Sequence, residues 1–151
     1  MPRKGPVAVC EVVLLSGLPG AGKDTWVAAH RADWPVVSLD GIRRELRISP
    51  SADQGAVAHE AWSRARDLLR HRVSFIWNAT NVTRALRAQL IALFAAYHAR
   101  ISIVYLDAPY DTLLARNRIR PHPVPEAVID RLARRLEVPD ATEAHAVQWI
   151  Y

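Results

Sequence analysis

Val12-Val13-Leu14-Leu15-Ser16-Gly17-Leu18-Pro19-Gly20-Ala21-Gly22-Lys23-Asp24-Thr25 is the stretch that decides how this chain folds. Its apolar, partly β-branched start predicts a buried strand, its glycines a tight turn, and the pattern from Lys23 to His30 a helix. In that order they gather inward-facing backbone N–H groups and the positive end of a helix around one point, which makes a cradle for phosphate. Glycine at 17, 20 and 22 removes the Cβ atoms that would block close approach, and Lys23 can reach the β and γ phosphates of a triphosphate. A plain Gly-Pro turn would leave Lys23 and three glycines without a purpose. Gly17, Leu18, Pro19, Gly20, Ala21, Gly22, Lys23, Asp24 and Thr25 are therefore expected to bind ATP or another NTP, with Lys23 also serving the chemistry.

Asp24 is the irregular letter, because this place ordinarily carries a Ser or Thr whose hydroxyl holds Mg²⁺. An unshielded carboxylate here would repel the triphosphate. Asp24 is thus the expected metal ligand, for Mg²⁺ or Mn²⁺, directly or through water, which frees Thr25 to bond a phosphate. The plainer reading is an acid stabilising a helix N-terminus, and the two are compatible.

Working outward, short apolar runs alternate with helical periods. Strands are expected at 10–16, 36–39, 73–77 and 101–106, and Val147 to Tyr151 could form a last one. Helices are expected over 22–30, 41–47, 55–71, 83–98 and 111–118, and from about Pro125 onward. That alternation predicts an α/β fold with a central parallel sheet of four or five strands and helices on both faces. Ligands in such sheets bind beyond the carboxyl ends of the strands, which singles out Asp40 after Leu39, the segment Asn78 to Asn81, and Asp107 after Leu106. Three alternating prolines at 121, 123 and 125 cannot continue a helix and mark the edge of a lid, expected at about 116–125.

Asp40-Gly41-Ile42-Arg43 places a carboxylate at a helix start and a guanidinium about one turn on. An N-cap and an exposed helix charge would explain the pair structurally. In a nucleotide-binding fold, however, Asp40 also stands where an acceptor hydroxyl would be oriented, since phosphoryl transfer demands positioning and charge stabilisation above all.

The chain has 151 residues, half of them hydrophobic, enough for one domain with a real core. Residues 1–9 read as a basic tail or linker and 10–151 as the domain. The formal charge is +5, and arginines at 116, 118, 120, 131, 134 and 135 face only Glu126 and Asp130 nearby, which favours an anionic partner beyond the nucleotide. For Arg131, Arg134 and Arg135 a solvated helix face beside a Val128-Leu132-Leu136 stripe explains the charges as well. Cys10, the only cysteine, is expected in a buried strand, in keeping with a cytoplasmic setting. No apolar run is long enough to suggest a membrane span, and the six histidines show no zinc-site spacing.

With these residues assembled, the chain resembles the kinase domain of polynucleotide 5′-kinases, both the bacteriophage kinase-phosphatase and, more closely, the P-loop kinase module of bacterial RNA-repair proteins that also carry an HD phosphohydrolase. The likeness runs nearly end to end. It rests on residues 17–26, Ser-Leu-Asp-Gly-Ile-Arg (38–43), Trp-Asn-Ala-Thr-Asn (77–81), Ala-Pro-Tyr (108–110), Arg-Asn-x-x-Arg (116–120), Val-Pro-x-x-Val-Ile (124–129) and Glu-Val-Pro (137–139). The resemblance implies a P-loop kinase fold with a lid, Asp40 as general base for a 5′-hydroxyl, and Arg43 on the flanking phosphate. It implies Arg116 and Arg120 as lid arginines, with Lys23 and Asp40 completing the catalytic group, and Thr80 and Asn81 as contacts to acceptor or metal waters. Arg116 and Arg120 would repel one another at i, i+4, so an anion between them is the economical reading.

The phage pattern has Ser at the end of the P-loop and an acid before Thr-Asn, whereas this chain has Asp24 and Ala79. The metal's carboxylate is therefore expected to have moved to the P-loop, with Asp107 a weaker alternative. The implied partners are an NTP and a 5′-OH end of RNA or DNA, with no membrane, and a larger repair protein or a homo-oligomer as possible setting. A small-molecule kinase (nucleoside, metabolite or antibiotic) is the rival, since fold and P-loop fix the donor and not the acceptor. A nucleotide-switched binding module has less in its favour, and residues 137–145 could line a donor-base pocket or simply close the sheet.

Overall fold

The computed structural model describes residues 9–151, so the expected tail lies outside the described residues except for Val9. The elements run β1 (Glu11–Ser16), α1 (Lys23–His30), β2 (Val36–Ser38), α2 (Leu39–Glu45), α3 (Gly55–Arg70), β3 (Phe75–Asn78), α4 (Arg84–Ala96), β4 (Arg100–Leu106), α5 (Tyr110–Arg118), α6 (Glu126–Arg135) and β5 (Ala146–Ile150). All pairings are parallel, in the order β2-β3-β1-β4-β5, so the expected fifth strand forms and β1 sits in the middle.

Why a near-continuous apolar run makes β1 becomes plain from its two faces. Val12 and Leu14 point into one core with Phe75, Trp77, Ile101 and Ile103, covered by Val57, Ala61, Ala65 and Leu69 of α3 and Leu90 and Phe94 of α4. Val13 and Leu15 point into the other with Ile76, Val104 and Leu106, covered by Trp26 of α1, Leu113 of α5 and Leu132 of α6. Phe94 anchors the first core edge-on to Phe75, with ring centroids 5.7 Å apart. Cys10 is buried, as expected from its neighbours.

Two boundaries differ from the sequence expectation for a definable reason. The second helix begins at Leu39 rather than Gly41 because the Ser38 hydroxyl accepts the Gly41 N–H at 3.1 Å and caps it. The third strand begins at Phe75, two residues late, because the Val73 N–H is taken by the Leu68 carbonyl at 3.0 Å, which closes the turn after α3. Strand ends Ser16, Ser38 and Asn78 come out on one side of the sheet, and the site is there.

Candidate active site

The cradle is strained in the way its glycines allow. Gly20 has φ +86° and a Cβ there would sit 2.6 Å from the Leu113 carbonyl oxygen of α5, while Gly17 has φ +152° and would meet the Leu106 carbonyl at 2.5 Å. Only glycine lets the loop lie this close to β4 and α5. The Gly17 N–H bonds the Thr80 carbonyl at 2.9 Å, tying the cradle to the loop after β3. Lys23 curls back, its Nζ donating to the carbonyls of Gly17 at 2.7 Å and Leu18 at 3.0 Å. Burial pushes its ammonium down to about 8; Asp40 and Asp24 oppose that shift and Arg120 adds to it.

Beside the cradle lies a cavity of about 810 Å³. It is lined by Lys23, Asp24 and Thr25, by Asp40 and Arg43, by Thr80, and by Arg116 and Arg120, which the fold brings together from four separate stretches of sequence. Leu18 and Ala21 are buried in the core beneath the loop instead.

Asp40 is not the helix cap, since Ser38 takes that role, and its carboxylate is free to turn to the cavity. One oxygen accepts from Arg43 Nη1, and the other lies 3.6 Å from Arg120 Nη2. Arg43 is held by a further contact that sequence reading missed: its Nε donates to Gln54 Oε1 at 2.6 Å. Gln54 is itself fixed by Nε2 bonds to the carbonyls of Ser49 and Ala52. Arg116 reaches the cradle directly, donating to the Gly20 carbonyl at 3.2 Å.

Asp24 receives a 2.8 Å hydrogen bond on Oδ1 from Asn78 Nδ2, at the end of β3. Its second oxygen has no such partner among the described residues. Among the described residues no three His, Cys, Asp or Glu side chains cluster as a ready-made metal cage. One oriented carboxylate beside a phosphate cradle suits a Mg²⁺ ion that keeps most of its water and takes its remaining ligands from phosphate. Asp107 does not line the cavity; its Oδ1 accepts the neighbouring Ala108 N–H at 2.8 Å, which argues against it as the alternative ligand.

Asn81 needs a correction. Its side chain is 1% exposed, and its Nδ2 donates to the Leu15 carbonyl at 2.5 Å, so the amide is spent inside the sheet and does not reach acceptor or metal water. Its backbone carbonyl collects bonds from Ser16 Oγ and from Arg87 Nη1, both at 2.9 Å. Arg87 is fully buried and its other end pairs with Glu143 at 2.9 Å. The C-terminal residues 137–145 are not on the cavity, so the closing-segment alternative describes them better than a base pocket does.

One more group escaped sequence reading, and the basic cluster divides. Asn117 of α5, 1% exposed, donates to the Val124 carbonyl at 2.7 Å and accepts the Val124 N–H at 2.9 Å, closing the base of the α5–α6 connection as a backbone pair would. Arg131 and Arg135 of α6 line the cavity, whereas Arg134 turns away to pair with Asp130 at 3.1 Å. The strand-end rule pointed at Asn78. For Gln54 and Arg87 no local signal exists.

Among the described residues no helix is long and apolar enough to cross a membrane.

Residues 12–139 match the AAA_33 family, an AAA domain. The L-seryl-tRNA(Sec) kinase of Methanococcus maripaludis is 24% identical over 135 residues, covering 85% of this chain and 53% of that protein. The chain thus spans about half the length, or less, of the curated relatives it matches. Among solved structures, the Pnkp1/Rnl/Hen1 complex contains a chain similar at TM-score 0.65 and 21% identity, over 81% of this chain and 43% of that one. A gluconokinase from Sinorhizobium meliloti 1021 is similar at TM-score 0.63 and 16% identity, over 95% and 85%. These likenesses establish a shared fold. With the phosphate cradle at the end of β1, helices on both faces of a parallel sheet and a match over most of its length, the chain belongs to the AAA_33 family.

Proposed function

We propose that the chain transfers the γ-phosphoryl group of ATP or another NTP to the 5′-hydroxyl of a nucleic-acid end. The observation that carries this reading is Asp40 and Arg43 in the same cavity as Lys23, a carboxylate for a hydroxyl next to a guanidinium whose Nη2 has no partner among the described residues. A 5′-terminal nucleotide offers that combination, a hydroxyl with a phosphodiester close behind it. A bare sugar acceptor offers only the hydroxyl and would give the Arg43 Nη2 no phosphate to meet.

In the reaction the acceptor oxygen forms a bond to the γ phosphorus as the bond to the β-phosphate bridging oxygen breaks, and the NDP leaves. Asp40 orients the hydroxyl and takes its proton. Lys23 follows the β and γ phosphates, while Arg116 and Arg120 clamp charge developing on the equatorial oxygens with their planar forks. Asp24, steadied by Asn78, is the residue that would hold the ion. A bound Mg²⁺ would neutralise phosphate charge and fix its orientation. Thr25 and Thr80 line the same cavity and would serve phosphate and acceptor respectively.

The test is transfer of label from γ-labelled ATP to 5′-OH RNA and DNA oligonucleotides, with gluconate and free nucleosides alongside. Asp40→Asn should lower the transfer rate about 10²- to 10⁴-fold while leaving donor binding intact. Faster labelling of a sugar or bare nucleoside than of any oligonucleotide would replace this reading with a small-molecule kinase.

A further inference from the structure

We infer that Arg131 and Arg135 of α6 form a second phosphate subsite that holds the acceptor strand beyond its terminal nucleotide, so that the preferred substrate is an oligonucleotide several residues long. The inference rests on the polynucleotide reading above and extends it along the strand.

The argument begins with charge. Six cationic side chains line the cavity, Lys23, Arg43, Arg116, Arg120, Arg131 and Arg135, against two carboxylates, Asp24 and Asp40. The donor end is already served by loop N–H groups, Lys23, Arg116 and Arg120, and a triphosphate carrying its own divalent ion has part of its charge cancelled. Arg43 stands beside Asp40, where the first phosphodiester would lie. Arg131 and Arg135 remain, and neither lies within ion-pair reach of a carboxylate among the described residues, although Asp130 and Glu126 are close in sequence and take Arg134 and Arg118 instead. Two like charges one helical turn apart, with Cβ atoms roughly 6 Å apart, repel unless something anionic lies across them. Successive backbone phosphates supply that at a comparable spacing. A solvated helix face would scatter such charges outward, as Arg134 does; these two face the cavity.

The experiment measures kcat/KM for 5′-OH acceptors of rising length, from a nucleoside 3′-phosphate to a hexanucleotide. The enzyme is compared with Arg131→Ala/Arg135→Ala, the charge-preserving Arg131→Lys/Arg135→Lys, and Arg134→Ala as the paired control. Expected is a gain with length in the native enzyme that falls at least tenfold in the double alanine variant, with the nucleoside 3′-phosphate rate changed less than twofold. The lysine variant should keep most of the gain and Arg134→Ala all of it. Binding of a fluorescent single-stranded decamer supplies a second readout: removing two phosphate contacts should flatten the plot of log affinity against log salt by about 1.4.

An unchanged length profile and salt slope would overturn the subsite while leaving the kinase reading intact. A donor KM raised equally for acceptors of every length would also overturn it, by assigning the two arginines to the triphosphate. If no oligonucleotide is phosphorylated yet the decamer's salt slope still flattens, the subsite stands and the proposed reaction falls.

Discussion

Lys23 gives the site a pH limit of its own. With its folded value near 8, against 10.5 for a free lysine, the unfolded chain holds the proton more tightly between those values, so this group adds stability as pH rises from about 8 to 10.5. Donor binding runs the other way, because the neutral amine is a poorer partner for phosphate. Nucleotide should therefore bind with net proton uptake near pH 9 and with falling affinity above pH 8, which calorimetry in buffers of different ionisation heat would read. Lys23→Met should abolish the uptake. Asp24 makes a separate prediction: Asp24→Ala should abolish Mg²⁺-dependent turnover, and Asp24→Ser with Ala79→Asp should restore part of it. Full activity in Asp24→Ala would remove Asp24 from the metal. At the cradle, Gly20→Ala faces both a positive φ and a carbonyl at 2.6 Å, whereas Gly22→Ala, at φ +100°, has open space and meets only backbone strain. Urea unfolding should show a loss of about 1–2 kcal/mol for Gly22→Ala and a larger one for Gly20→Ala. The sequence motif already named these residues because their chemistry is local: a turn, a close approach, a charge at a strand end. Gln54 lies eleven positions from Arg43 and Arg87 fifty-six from Glu143, separations at which no period or spacing links the partners.

Between elements, one ion pair is almost wholly withdrawn from solvent. Arg87 on α4 and Glu143 are 0% and 4% exposed and together fix the Asn81 carbonyl, next to the Thr80 carbonyl that carries Gly17. Arg87→Met leaves a buried carboxylate unpaired and should cost about 3–5 kcal/mol in chemical denaturation, and Arg87→Met/Glu143→Leu should recover much of it. Exposed pairs such as Arg64–Glu45 or Arg134–Asp130 contribute about 1 kcal/mol at most. In the α5–α6 connection, Asn117→Ala should cost about 1 kcal/mol or more for the part-buried Val124 N–H and carbonyl left without their partner. Because it also frees the segment that carries Arg120, the same substitution should lower kcat more than donor affinity. Helices and strands themselves were legible in the sequence, since β1 to β4 are apolar runs and α3 and α4 carry clear stripes. β5 was not as plain: it lies at the sheet edge, with Trp149 39% exposed, so its pattern lacks the continuous apolarity that burial imposes.

At the scale of the molecule, stability should be graded across the sheet. β1, paired on both sides and buried on both faces, should protect its amides from hydrogen exchange the longest; β2, three residues long at one edge, should exchange early along with the start of α2. Asp40 and Arg43 then ride on the softer flank and Lys23 follows the rigid middle, a division that exchange mass spectrometry with and without nucleotide would chart. The sequence showed alternation and strand ends and so the direction of the sheet. It could not show which helix charges face inward, because that depends on the angle at which α6 settles on the second core through its Leu132 and Ala133 and the following Leu136.

A parallel sheet also gives the molecule a front and a back. Glu11 enters β1 at the end remote from the cavity, while β5 finishes at Ile150 alongside Leu106, at the end where the cavity opens. A purification handle or surface linker joined ahead of Glu11 would hold the protein by its rear and leave the mouth unobstructed. The same attachment beyond Tyr151 would emerge on the cavity's side of the sheet, so immobilised assays should be anchored from the first of these sides.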